Sequence, residues 1–171
     1  MASSQREPYK TGMHSDETLQ VTYSVNNLAD LYEKQGCYKE AEELNLQCLQ
    51  LKKKLLGDEN WEVATSLHNL AFLYQNQGRY EEAKSLYFQA LKLWKNSLGE
   101  DHFYVGICLF NIGNLFKEQG ENQKAKSLYL IALDIYSQKV SEDNLRYKKL
   151  KDKLNEIPDA IEPLSIDELG L

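Results

Sequence analysis

Three asparagines, Asn27, Asn69 and Asn111, recur at intervals of 42 residues and carry the most suggestive chemistry in the sequence. A carboxamide offers a donor and an acceptor together. It can bond the N–H and C=O of an extended peptide without regard to that peptide's side chains, or it can tie one segment of its own chain to the next. Both uses stay open at this level. Residue types that support catalysis are present but scattered. His14, His68 and His102 are isolated, and His68 has no Asp or Cys at coordinating spacing. Cys37, Cys48 and Cys108 form no CxxC pair, so neither a disulfide framework nor a metal site is expected. Glu42-Glu43 and Glu81-Glu82 read as solvent-facing charge, and neither a Gly-rich phosphate loop nor a GxSxG elbow occurs. The expectation is a protein that is not an enzyme, with no catalytic residue, no metal and no cofactor.

The elements that must position these asparagines come in copies. Residues 56–97 share 19 identities with residues 14–55 and 15 with residues 98–139, so the chain is an array of repeats. A unit of this length cannot bury its apolar face alone and has to stack on its neighbours. Within the central copy, Val63, Leu67, Leu70, Ala71 and Tyr74 make one helical stripe. Tyr80, Ala83, Leu86, Tyr87, Ala90, Leu91 and Trp94 make another. Gln77-Gly78-Arg79 between them is long enough only for a tight turn, which makes the unit an antiparallel helical hairpin. Leu56-Gly57 and Leu98-Gly99 open the later copies, with glycine expected in the left-handed conformation that closes a helix.

Small residues recur where helices would touch: Ala29, Ala71 and Gly113 on the first helix of each hairpin, and Ala41, Ala83 and Ala125 on the second. Leu28, Leu70 and Ile112, with Tyr32, Tyr74 and Phe116, supply the expected bulk between them. Cys48 holds the slot of Ala90 and Ala132 and should be buried. The pattern Asn-Leu-Ala-x-Leu-Tyr-x-x-Gln-Gly-x-Tyr-x-x-Ala, followed by Ala-Leu and Leu-Gly-x-x-His, resembles the tetratricopeptide repeat. Its 42-residue form is similar to the repeats of kinesin light chain and its bacterial relatives. The likeness covers residue 16 to about residue 139.

The resemblance implies an all-α, right-handed superhelical array of three hairpins (16–55, 56–97 and 98–139) plus a C-terminal capping helix (140–157). The helices are expected at about 16–35, 38–55, 60–77, 80–97, 102–119 and 122–138. Residues 1–15 read as a flexible leader. Ser141 is the expected N-cap of the seventh helix, whose Arg146, Lys148, Lys149, Lys151 and Lys153 suggest a solvating cap over the third hairpin. Pro158 ends it. The acidic-aliphatic tail 158–171 is expected to pack on the cap helix or in a groove, its own or a second copy's, with self-association through the tail as a consequence; a linker is the alternative. The chain has 171 residues, 42% of them hydrophobic, and a net charge of -6, which disfavours nucleic acid and anionic membrane as partners. With neither an 18-residue apolar run nor a signal-peptide pattern, the expected location is the cytoplasm.

In the family the first helices of the hairpins line a concave groove. Position by position, that puts Asn27, Asn69 and Asn111 on its floor. The flanks are Tyr23, Asn26, Asp30 and Lys34, then Thr65, His68, Phe72 and Asn76, then Ile107, Phe110, Asn114 and Glu118. The cationic clamp with which some members hold a terminal carboxylate is missing, since Tyr23, Thr65 and Ile107 occupy its slots. The implied function is an adaptor or scaffold that binds an extended protein or peptide segment in this groove. The alternative is a regulatory or sensor segment of a larger multidomain protein whose catalytic part lies elsewhere.

Overall fold

A computed structural model describes residues 10–141 and 143–169. The start of the expected leader (1–9), Glu142 and the last two tail residues lie outside the described residues. The others form α1 (Lys10–Lys34), α2 (Tyr38–Leu56), α3 (Trp61–Asn76), α4 (Tyr80–Leu98), α5 (Phe103–Glu118), α6 (Asn122–Lys139), α7 (Leu145–Asn155) and the short α8 (Ile166–Leu169), with no strand among the described residues. Helices α1/α2, α3/α4 and α5/α6 pair as hairpins, and each hairpin packs on the next through α2 against α3 and α4 against α5. The result is a right-handed superhelical array, closed at its far end by α7 on α6.

Local chemistry sets most boundaries. Asn60, His102 and Asn144, spaced by the repeat period, each stand in extended conformation before a helix. Each accepts a hydrogen bond from the backbone N–H two residues on: Asn60 Oδ1 from Glu62 (2.9 Å), His102 Nδ1 from Tyr104 (3.2 Å) and Asn144 Oδ1 from Arg146 (2.9 Å). The cap of α7 is therefore Asn144, and the expectation of Ser141 is corrected. Val140 leaves α6 extended (φ -137°, ψ 154°), and a turn closed by Asn144 N–H donating to the Ser141 carbonyl (3.0 Å) intervenes before the helix starts. Helix α1 starts at Lys10, ahead of residue 16, because extending a packed helix closes one further backbone bond per residue added. Gly57 and Gly99 have positive φ (83° and 95°), but their ψ values of 159° and 157° are extended, so they are not in the left-handed helical conformation expected. That region is open essentially to glycine alone, and it turns the chain sharply away from the helix it has just left.

The core runs along the array between the helix layers. Ala29, Ala41, Ala71, Ala83 and Ala125 are fully buried at helix contacts, as is Gly113 among the buried residues of α5, and Cys48 is buried in its alanine slot. Trp94, Tyr87, Tyr129 and Tyr136 fill the large spaces. Leu28 departs from its expected role: Leu70 and Ile112 lie under a preceding hairpin, whereas Leu28 has none above it among the described residues and is 44% exposed.

The segment after Ile157 docks on α6, neither on the basic faces of α7 nor in the concave groove. Lys126 Nζ donates to the carbonyls of Asp159 (3.2 Å) and Ile161 (2.7 Å), and Leu164 N–H donates to Ser127 Oγ (2.6 Å). Ile161 and Leu169 pack against the edge of the core, which accounts for two of the tail's aliphatics. None of the described helices is long and apolar enough to cross a membrane.

Candidate functional site

The first helices α1, α3 and α5 face a concavity of about 1020 Å³, and α7 completes its wall. Nine of the thirteen residues singled out in the sequence line it: Asp30, His68, Asn69, Phe72, Asn76, Ile107, Phe110, Asn111 and Asn114. Tyr23, Asn26, Asn27 and Thr65 do not. Tyr23 turns its hydroxyl to Glu62, which pushes its pKa up to about 12, and Thr65 Oγ1 donates back to the Trp61 carbonyl (3.4 Å). Asn26 Oδ1 is buried without a partner, and Asn27 is exposed outside the cavity. Of the two further flanking residues, Lys34 lines the cavity, while Glu118 lies beside it and accepts from Gln75 Nε2 (3.0 Å).

The floor is built from the core upward. His68 sits on α3 against the rings of Tyr87 (5.4 Å) and Trp94 (5.3 Å). Burial pushes its pKa down to about 4, and the Arg146 charge acts in the same direction, so the imidazole is neutral at pH 7. The amide nitrogen of Asn111 stands 2.7 Å from His68 Nε2; an amide nitrogen can only donate, so this bond goes with the neutral tautomer that carries its proton on Nδ1. One of the three recurring amides thus ties its hairpin to the one before. Gly113 has a similar supporting part: a Cβ there would stand 2.5 Å from Tyr129 Cε1, so only glycine lets that ring lie against α5. From this position Tyr129 donates to Asn114 Oδ1 (2.7 Å) and packs on Phe110 (5.7 Å), holding both at the cavity wall. Asn76 is held differently, by Glu33 across the hairpin boundary.

Phe72 is the exception among these braced groups. It is 42% exposed and, with Asn76 and Asn114, lines both the main cavity and a smaller one of about 410 Å³ that also reaches Gln75, Lys117, Glu118 and Lys153. An aromatic side chain left open in a concave face, with amides on either side, can cover an apolar group while the amides take up a backbone.

Sequence reasoning missed Glu33, Tyr38 and Phe103, and all of the contribution from α7: Asn144, Leu145, Arg146 and Lys149. The signal was present. Asn144 falls in the slot of Asn60 and His102, which makes α7 a fourth first-helix in register, and a first-helix belongs to the concave face. Among the described residues no group of three His, Cys, Asp or Glu side chains could hold a metal ion.

The tetratricopeptide repeat family matches residues 19–73 and 62–138. No curated protein matches the sequence. Among solved structures, BtubC (BKLC) from P. vanneervenii is 24% identical with a TM-score of 0.70, over 80% of this chain and 54% of its own. A Podosopora anserina structure of nearly identical TPR-like repeats of the kinesin light chain kind is 23% identical with a TM-score of 0.73, over 81% and 66%. The type III secretion translocator chaperone SycD of Yersinia enterocolitica is 19% identical with a TM-score of 0.63, over 83% and 91%. At these identities the likeness is one of fold. The chain spans about half the length of the first of these structures.

Proposed function

Because this chain belongs to the tetratricopeptide repeat family, a protein-interaction scaffold, we propose that it binds an extended segment of a partner protein in the concavity of α1, α3, α5 and α7. The observation that carries this reading is Phe72, a large aromatic ring kept 42% exposed inside a cavity of about 1020 Å³. Around it, Asn69 and Asn114 are half-buried amides of the kind that bond peptide backbone. An adaptor role accords with a cavity whose polar groups are amides and surface charges. Its one histidine is neutral and committed to Asn111.

Selection of displayed random peptides on the full chain tests the reading. A selected peptide should lose about tenfold in affinity or more on Phe72→Ala, as expected for truncating a central aromatic anchor. Leu130→Ala, on the exposed surface of α6, should leave it unchanged. The opposite pattern would put binding on the outer face. The alternative, a regulatory segment of a larger protein, uses the same groove and is distinguished by the length of the native reading frame.

A further inference from the structure

Helix α7 carries five cations, and their fates differ. Lys148 pairs with Asp143 (3.1 Å), Lys153 pairs with Glu156 (3.0 Å), and Lys151 lies over the Tyr147 ring (4.8 Å). Arg146 and Lys149 have no ion pair among the described residues, and both line the groove. At the opposite end of the same cavity stand Asp30 and Glu33 of α1, beside Lys34. Between the two ends lie Phe72, Phe103, Ile107 and Phe110. The cavity is therefore graded, with unpaired positive charge at the α7 end, apolar surface in the middle and acidic side chains at the α1 end.

We propose that α7 is the selecting wall of the groove: Arg146 and Lys149 hold two acidic side chains of an extended partner segment whose apolar residues cover Phe72 and Phe110, with the acids directed away from Asp30 and Glu33. The spacing suits this occupant. Side chains three apart on a helix have Cβ atoms about 5–6 Å apart, and alternate residues of an extended chain are about 6.6 Å apart, so two carboxylates at i and i+2 meet one cation each. The asymmetry also fixes the direction in which the segment lies, because the reversed orientation sets its acids against Asp30 and Glu33. This inference rests on the groove reading given above and adds the ligand's charge and polarity to it.

The test is the same selection of displayed random peptides, run in parallel on the full chain and on its R146E/K149E variant. R146Q/K149Q serves as a second variant, and melting confirms that each is folded. The parent should enrich peptides with paired acidic residues next to aliphatic or aromatic ones. Their affinity should fall about tenfold or more on charge reversal and weaken with added salt. The reversed variant should enrich basic peptides instead. Peptides that need Phe72 yet bind R146E/K149E and R146Q/K149Q within about twofold of the parent would overturn the role of α7 and leave the groove standing. Peptides indifferent to Phe72 and to α7 alike, or a selection that enriches nothing, would overturn both.

Discussion

The two interfaces between hairpins occupy equivalent positions and are filled by opposite chemistry. Between the first and second hairpins, Lys52 Nζ, fully buried, donates to Glu62 Oε2 at 2.9 Å, and Tyr23 donates its hydroxyl to the other carboxylate oxygen. Nearer the turn of the second hairpin, Glu42 accepts from Tyr74 (2.7 Å) and from Arg79 (2.9 Å), whose guanidinium also stacks 3.6 Å from the Tyr74 ring centre. One repeat later, Trp94 stands where Lys52 was and Tyr104 where Glu62 was, and the two rings stack at 5.3 Å and 20°. Trp61 extends that stack across Tyr104 at 6.1 Å, and His68 closes it from below. Phe116 replaces Tyr74, with the cations of Lys84 and Lys124 near its face instead of a hydrogen-bonded carboxylate. The backbone stack is thus indifferent to which filler is used. What each filler changes is the consequence of breaking it: an apolar stack leaves a cavity when truncated, whereas half of a buried ion pair leaves an uncompensated charge.

The largest expected effect breaks the polar interface at its centre. Lys52→Met should cost about 3–5 kcal/mol, because Glu62 stays buried without its counter-ion. The double change Lys52→Trp with Glu62→Tyr, which copies the Trp94–Tyr104 pair, should return to the parent's stability or exceed it by about 1–4 kcal/mol. Urea unfolding measures both. A single variant costing less than about 1 kcal/mol would mean that the ion pair is not the buried centre of its interface.

Acid probes the aromatic interface next. His68 is neutral in the fold with a pKa of about 4, while a histidine in the unfolded chain takes a proton near its ordinary value of 6.5. The unfolded state therefore binds more protons between these values. This stability is complete above pH 6.5 and is lost as pH falls toward 4, by up to about 3 kcal/mol at 1.36 kcal/mol per unit. His68→Gln should flatten the stability profile between pH 7 and pH 5 relative to the parent. Parallel profiles would show that the ring is not held neutral beneath the groove. The smallest effect belongs to the rim. Arg79 and Glu42 are partly open to water, so Arg79→Met should cost only about 0.2–1 kcal/mol and should matter less in high salt, as read by the same unfolding curves.

Hairpins, turns and helix contacts were legible in the residues, because each is local. A stripe at helical spacing, a glycine between two stripes and an alanine at a contact are properties of a few neighbouring positions, and the 42-residue period multiplies every one of them by three. The groove was legible in part for the same reason: the period fixes how far each residue is rotated about its helix, which brought nine of thirteen residues to the cavity. At the α1 end the same rotation did not suffice. Tyr23 was drawn to Glu62, a residue 39 positions away whose orientation depends on the buried Lys52.

By itself the sequence determined the repeat, the helical hairpin, the small residues at its contacts and the face that turns inward. Only the tertiary structure decided that Asn111 spends its amide on His68, that the tail lies along α6, and that α7 is a groove wall whose Arg146 and Lys149 have no ion pair among the described residues. The physical reason is one of range. Spacing along a helix sets the direction of a side chain, but what stands opposite it is set by the stacking and curvature of the whole array, which joins residues about forty positions apart.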